Sequence, residues 1–215
     1  MNVRKVLVGA AVVIPILLLA VIFFVGRPRP EPLPVLWPVP EFSLIDQDCL
    51  PFNSAEMTGK VWLASFVYTK CPDFCPLVTQ RMAVLRDSIA ANDELRDQVR
   101  LLSITVDPLR DSPAVLREYA ERFRAAKPTW LFLTGPVTEV IPLVNQGFHL
   151  STIHPRVHDP HEHTHAHDSI AGDYMVSHSD RIVLIDAQRR VRGTYTSSDP
   201  EALKRLWTDL LRVRE

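Results

Sequence analysis

The sequence predicts the α/β class, a sandwich of helices around a mixed central sheet, carried behind an N-terminal transmembrane helix. Three observations lead there. Short apolar runs of strand character alternate with segments of helical periodicity. The chain closes with two strand-like runs and a helix, which adds antiparallel strands to a sheet that the alternation makes parallel. Near the start, Val6 to Val25 is a twenty-residue run without a charged side chain, long enough to cross a hydrocarbon core of about 30 Å.

Residues 1–26 are read as an uncleaved membrane anchor. Phe23-Phe24-Val25 runs straight into Gly26-Arg27-Pro28-Arg29 with no Ala-x-Ala pattern, which a cleaved signal peptide, the alternative, would require. Arg4 and Lys5 outweigh Arg27 and Arg29 only through the terminal amine, so the positive-inside rule gives a slight bias. The bias puts the N-terminus inside and the domain outside the cytoplasm. The expected setting is the inner (cytoplasmic) membrane, single-pass, with the domain facing the periplasm. Residues 27–40 follow as a linker: six prolines between Pro28 and Pro40 favour an extended, semi-rigid spacer.

Residues 41–215 are long enough for one domain with a good core. From Pro30 on, 20 Lys and Arg stand against 25 Asp and Glu without a basic patch, which excludes nucleic acid as a partner. Three cysteines are too few for a disulfide scaffold.

Within the domain, Glu41–Ile45 and Leu50-Pro51-Phe52 flank the turn Asp46-Gln47-Asp48-Cys49 as a small hairpin. Val61–Tyr68 is the first central strand. Pro76 then opens a helix to about Ala91, with Val78, Met82, Leu85 and Ile89 on one face. Val99–Val106 is a second buried strand, ended by Asp107-Pro108. Ser112 caps a helix with Pro113 in its first turn, and Val115, Leu116, Tyr119 and Phe123 are expected in the core. Trp130–Leu133 is a short strand, and the helix after Gly135-Pro136 is cut or kinked near Pro142. Arg181–Asp186 and Arg190–Tyr195 pair around Ala187-Gln188. The last helix carries Leu203, Leu206, Trp207 and Leu210.

His154 to His167 breaks this pattern. It holds six of the eight histidines, two prolines and almost no apolar side chains, so it reads as a solvent loop. It is either a polar, variable insertion or a labile metal-collecting segment, since neutral imidazoles bind copper, zinc and nickel.

The chemistry concentrates at Cys71 and Cys75, in Tyr68-Thr69-Lys70-Cys71-Pro72-Asp73-Phe74-Cys75-Pro76. Two thiols at a helix N-terminus meet N–H groups and a dipole that favour thiolate. Thiolates so placed exchange with disulfides or bind a soft metal; a structural disulfide or two buried thiols is the plainer alternative. His178, just before the strand Ile182–Ile185, is the third candidate. Two thiolates and an imidazole make a trigonal set suited to Cu(I) and able to hold Cu(II), whereas tetrahedral zinc wants a fourth ligand. Asp107, Arg110 and Asp111 follow the second strand and are accounted for by turn and cap chemistry. No threonine-and-proline segment precedes Cys71, which speaks against a peroxidase.

Gly59-Lys60, Tyr68-Thr69-x-Cys71-Pro72-x-x-Cys75-Pro76, Thr105-Val106-Asp107-Pro108-x-Arg110-Asp111-Ser112-Pro113, Leu133-Thr134-Gly135 and Tyr174-x-Val176-x-His178-Ser179 resemble, in that order, the Sco/SenC family. The resemblance covers Glu41 to about Val213. It implies a thioredoxin-like fold and a membrane-anchored copper-binding protein that serves assembly of cytochrome c oxidase at its dinuclear copper centre. The copper-binding subunit of the oxidase would be its partner. Carried over residue by residue, the metal ligands would be Cys71, Cys75 and His178, with a copper ion, Cu(I) or Cu(II), as the metal. A metallochaperone is the leading expectation, not an enzyme in the ordinary sense. The alternative is a thiol–disulfide oxidoreductase in which Cys71 and Cys75 form a redox disulfide and reduce cysteines of a partner's copper site. The chain departs from the family pattern at Ser177, where Asp usually precedes the ligand histidine, at Cys49, where the hairpin turn usually carries Gly, and in the His-rich loop.

Overall fold

A computed structural model describes residues 15, 31–72, 74–150 and 180–213. Met1–Pro32 and Leu33–Glu215 form separate compact units, and every element below belongs to the second. Apart from Pro15, the expected membrane span, Val6 to Val25, and the whole His-rich loop lie outside the described residues. Among the described residues no helix is long and apolar enough to cross a membrane.

The elements run β1 (Trp37–Pro38), β2 (Ser43–Asp46), β3 (Pro51–Asn53), a 3-10 turn (Ser54–Met57), β4 (Val61–Val67), α1 (Phe74–Ala90), β5 (Val99–Thr105), α2 (Pro113–Arg122), β6 (Trp130–Thr134), α3 (Val137–Pro142), β7 (Arg181–Ile185), β8 (Arg190–Thr196) and α4 (Pro200–Val213). Among the described residues eight strands form one sheet in the order β1-β8-β7-β4-β5-β6-β2-β3. β4, β5 and β6 are parallel, and β7 joins β4 antiparallel with Ser65 opposite Ile182. The mixed sheet is thus the expected one, because helical crossovers impose parallel neighbours and the closing hairpin adds antiparallel ones.

Alternation along the strands builds two cores. Leu63, Val67, Leu101, Trp130, Phe132 and Leu184 face α1, α2 and α4, together with Met82, Tyr119 and Leu206. Trp62, Ala64, Phe66, Leu102, Ile104 and Val183 face the other way, packed with α3, the 3-10 turn and inward-facing residues of β2 and β3. β4 is buried at all seven positions, which is why it reads as a continuous apolar run rather than an alternating one. Pro142 ends α3, and the chain widens into a π-helical turn over Leu143–Gly147. Val115, expected in the core, is 37% exposed; α2 turns only Leu116, Tyr119 and Ala120 fully inward.

The N-terminal boundary also moves. Residues 33–39 were expected in the extended linker, yet Trp37–Pro38 pairs with β8 and Val39 is buried. The prolines leave the amides of Leu36 and Val39 available, and these donate to Val191 O and Arg189 O at 2.8 Å each. Arg192 donates to the carbonyls of Leu33 and Pro34 and fastens the same stretch.

Candidate metal and redox site

The site forms where the parallel strands end. β4 runs out at Val67, opposite Thr105 of β5, and one further bond, Val106 N–H to Val67 O at 2.9 Å, closes the ladder. The chain from Tyr68 then turns back through the Cys71 N–H, which donates to Tyr68 O at 3.1 Å. α1 begins at Phe74, two residues before the proline expected to open it. Pro76 still falls in the first turn, where a missing N–H leaves no bond unmade.

Both cysteines are thiols, and one turn holds them together: the Cys75 N–H donates to Cys71 Sγ at 3.3 Å. The sulfur of Cys71 therefore occupies the end of α1 as a helix-capping acceptor, where the dipole favours negative charge. The strand-to-helix turn does not present the two thiols to solvent. Cys71 is 5% and Cys75 7% exposed, because Cys75 lies on the inner face of α1 with Val78 and Met82. Burial pushes the Cys75 thiol well above its ordinary value. The Cys71 thiol and the charges of Cys71 and Asp111 push the same way, against the Tyr68 backbone. At Cys75, desolvation thus outweighs the helix-end field that led to the thiolate expectation.

A buried polar chain supports the turn. Thr79 Oγ1 donates to Cys75 O at 2.7 Å and stands 3.0 Å from the Tyr119 hydroxyl. Burial raises the Tyr119 phenol to about 12, so it stays protonated. On the other side lies Asp111, 1% exposed. Its Oδ1 accepts from Thr69 Oγ1 at 2.5 Å, its Oδ2 from Thr105 Oγ1 at 2.6 Å, and the Thr69 N–H points at both oxygens at 3.3 and 3.2 Å. Burial raises the Asp111 carboxyl, and the bonds from Thr105 and Thr69 work against that rise. The sequence reads this residue as turn chemistry, and the four-residue offset from Asp107-Pro108 gives no sign of a bond to Thr69.

Asp107 behaves as expected of a turn residue. It pairs with Arg110 at 3.1 Å, and its carbonyl accepts from the Arg110 and Asp111 amides. Cys49 is elsewhere, exposed in the β2–β3 turn and separated from β4 by β5 and β6 in the sheet order. Its φ of 62° explains why a glycine suits that position. His178 lies outside the described residues. Asp180, two residues later, is described: its carbonyl accepts from Ser197 N at 2.7 Å, and β7 follows directly. Since β7 runs antiparallel to β4, the chain enters β7 at the sheet edge from which the cysteine turn leaves. Among the described residues no cluster of three His, Cys, Asp or Glu donors is arranged to hold a metal.

A family profile described as SCO1/SenC matches residues 38–210. The chain belongs to the SCO1/SenC family. A Stutzerimonas stutzeri protein described as copper-binding is 32% identical over 155 residues, covering 72% of this chain and 67% of that protein. A SCO2-like protein of Rickettsia felis is 30% identical over 164 residues, covering 76% and 72%. Among solved structures, a SCO1/SenC family lipoprotein from Bacillus anthracis aligns with a TM-score of 0.68 at 27% identity, covering 83% of this chain and 96% of that one. Bradyrhizobium japonicum ScoI, solved with copper bound, aligns with a TM-score of 0.61 at 25% identity, covering 81% and 98%. The mixed, thioredoxin-like sheet that the resemblance implied is the fold these SCO1/SenC structures share with this chain.

Proposed function

We propose that this SCO1/SenC protein is a copper metallochaperone held to the inner membrane by Val6–Val25, its domain facing the periplasm. It binds one copper ion through Cys71, Cys75 and His178. It passes the ion by ligand exchange to the copper-binding subunit of cytochrome c oxidase, at the dinuclear copper centre. The observation that carries this reading is the turn in which the Cys75 amide lies 3.3 Å from Cys71 Sγ, at the end of α1. Two soft donors are preorganised there, and β7, which begins three residues after His178, starts at the end of the sheet from which the cysteine turn leaves. The copper-bound relative of similar fold supports the choice of metal.

The test is titration of the reduced protein with Cu(I) and Cu(II), beside Cys71→Ser, Cys75→Ser and His178→Ala. One tightly bound ion in the wild type, lost or strongly weakened in each variant, is the expected result. Full affinity without His178 would remove the imidazole from the ligand set. Membrane fractionation with protease protection of whole cells checks the anchor and its orientation.

A second reading uses the same pair. In thiol–disulfide exchange, one cysteine thiolate attacks a sulfur of the partner's disulfide and releases the other as thiolate. The second cysteine then resolves the mixed disulfide, leaving Cys71–Cys75 oxidised and the partner reduced. The contact between the two cysteines within one turn favours this chemistry as well. Disulfide exchange that persists in His178→Ala while copper is lost would separate the two activities.

A further inference from the structure

We infer that Asp111 is the positioning residue of the dithiol, a buried clamp that fixes the turn presenting Cys71 and so sets the geometry in which copper is held. The inference rests on the copper reading above. Turn and cap chemistry does not account for this carboxylate. α2 is already capped by the Ser112 side chain, which accepts from Val115 N, and by Pro113 in its first turn. Asp111 spends both oxygens elsewhere, on Thr69 and Thr105. Its partners there are two hydroxyls and an amide, an expensive setting for a buried carboxylate unless it holds something in place.

What it holds is the first residue pair beyond the ladder. The β4–β5 hydrogen bonds stop at Val106 N–H to Val67 O, so the Thr69 amide has no strand to pair with, and Asp111 takes that place. Thr105, the last residue of β5, anchors the far oxygen to the sheet. The path from sheet to sulfur is then short. Thr105 holds Asp111, Asp111 holds Thr69, the Tyr68 carbonyl holds the Cys71 amide, and Cys71 Sγ meets the end of α1. A residue supporting ligands in this way normally matters about tenfold or more in metal affinity.

The test uses the full-length protein in mild detergent, at a temperature where circular dichroism shows each variant folded. Cu(I) affinity is measured by competition with a chromophoric chelator, and alkylation of Cys71 by iodoacetamide is followed in the reduced, metal-free protein. Asp111→Ala should weaken Cu(I) binding about tenfold and speed alkylation, with a shifted Cu(II)–thiolate absorption band. Asp111→Asn, which keeps an acceptor for Thr69, should recover most of both. Thr69→Val, a milder change at a half-buried residue, should move them in the direction of Asp111→Ala and carries the test if that variant does not fold. A change in melting temperature with alkylation rate, band position and affinity all unchanged would overturn the clamp. Should the wild type take up no copper, the copper reading fails, and the alkylation rates alone decide whether Asp111 positions Cys71.

Discussion

Asp186, in the turn between β7 and β8, offers the sharpest stability measurement. It is 1% exposed, and its two oxygens have separate duties. Oδ1 accepts from the Gln188 and Arg190 amides at 3.0 and 2.9 Å. Oδ2 accepts from Arg190 Nε and Arg192 Nη1, each at 2.8 Å. Asp186→Asn can keep the first pair while turning an NH2 group toward two guanidiniums. A hydrogen bond to a charged group contributes about 1.5–3 kcal/mol. The Arg192 side chain is 11% exposed and counts nearly in full, whereas Arg190 at 40% recovers much of its loss from water. The expected cost is about 3 kcal/mol, or roughly 6–12 °C in Tm for a domain of this size. Urea denaturation of the metal-free protein, followed by tryptophan fluorescence, measures it. A loss under about 1 kcal/mol would show that these pairs behave like surface ion pairs and would refute the reasoning. The pH dependence has a definite sign. Burial works against the charge, yet the bonds from Arg192, Arg190 and Gln188 prevail and hold the Asp186 carboxyl below its ordinary range. The stability it supplies is therefore present above the unfolded pKa of about 4 and is lost as pH falls through the lower folded value. Asp186→Asn should flatten that acid limb.

Three further outcomes are expected. Cys49→Gly relieves a non-glycine residue at φ 62° and should raise stability by up to about 1 kcal/mol, with copper stoichiometry unchanged. Gly193→Ala would drive a Cβ into the Tyr195 hydroxyl, which is held by Asp209 at 2.8 Å; it should cost about 1–3 kcal/mol, much of it recovered in a Gly193→Ala/Tyr195→Leu double variant. Deleting Arg156–His167 should lower total metal uptake while one Cu(I) per domain remains, read by titration with atomic absorption, and unchanged uptake would assign that loop no metal.

The parts of the fold legible in the sequence were those whose burial is complete. β4 and β5 end within a residue of expectation because an uninterrupted apolar run has nowhere to go but the middle of a sheet. Ser112-Pro113 marked the start of α2 for the equally local reason that a hydroxyl and a missing N–H suit a helix end. β1 was hidden by its prolines. Its pairing depends on the amides of Leu36 and Val39, and the apolar run Val35-Leu36-Trp37 inside the proline-rich stretch was the available signal. At the site, the grouping of Cys71 and Cys75 was readable from spacing alone. Their burial was not, since it depends on which face of α1 meets the sheet. Nor was the bond between Thr69 and Asp111, forty-two positions apart and brought together by neighbouring strand ends.

The outermost strands set a limit on how a partner can be recognised. β1 has two residues and β3 three, each contains a proline, and together they close both ends of the sheet. Among the described residues, a strand added from another chain would find few amides to pair with at either border, which disfavours docking by backbone addition. On the proposed reading, recognition would instead use side chains, and Phe74, exposed three residues after Cys71, belongs to the surface that a recipient of the metal would meet.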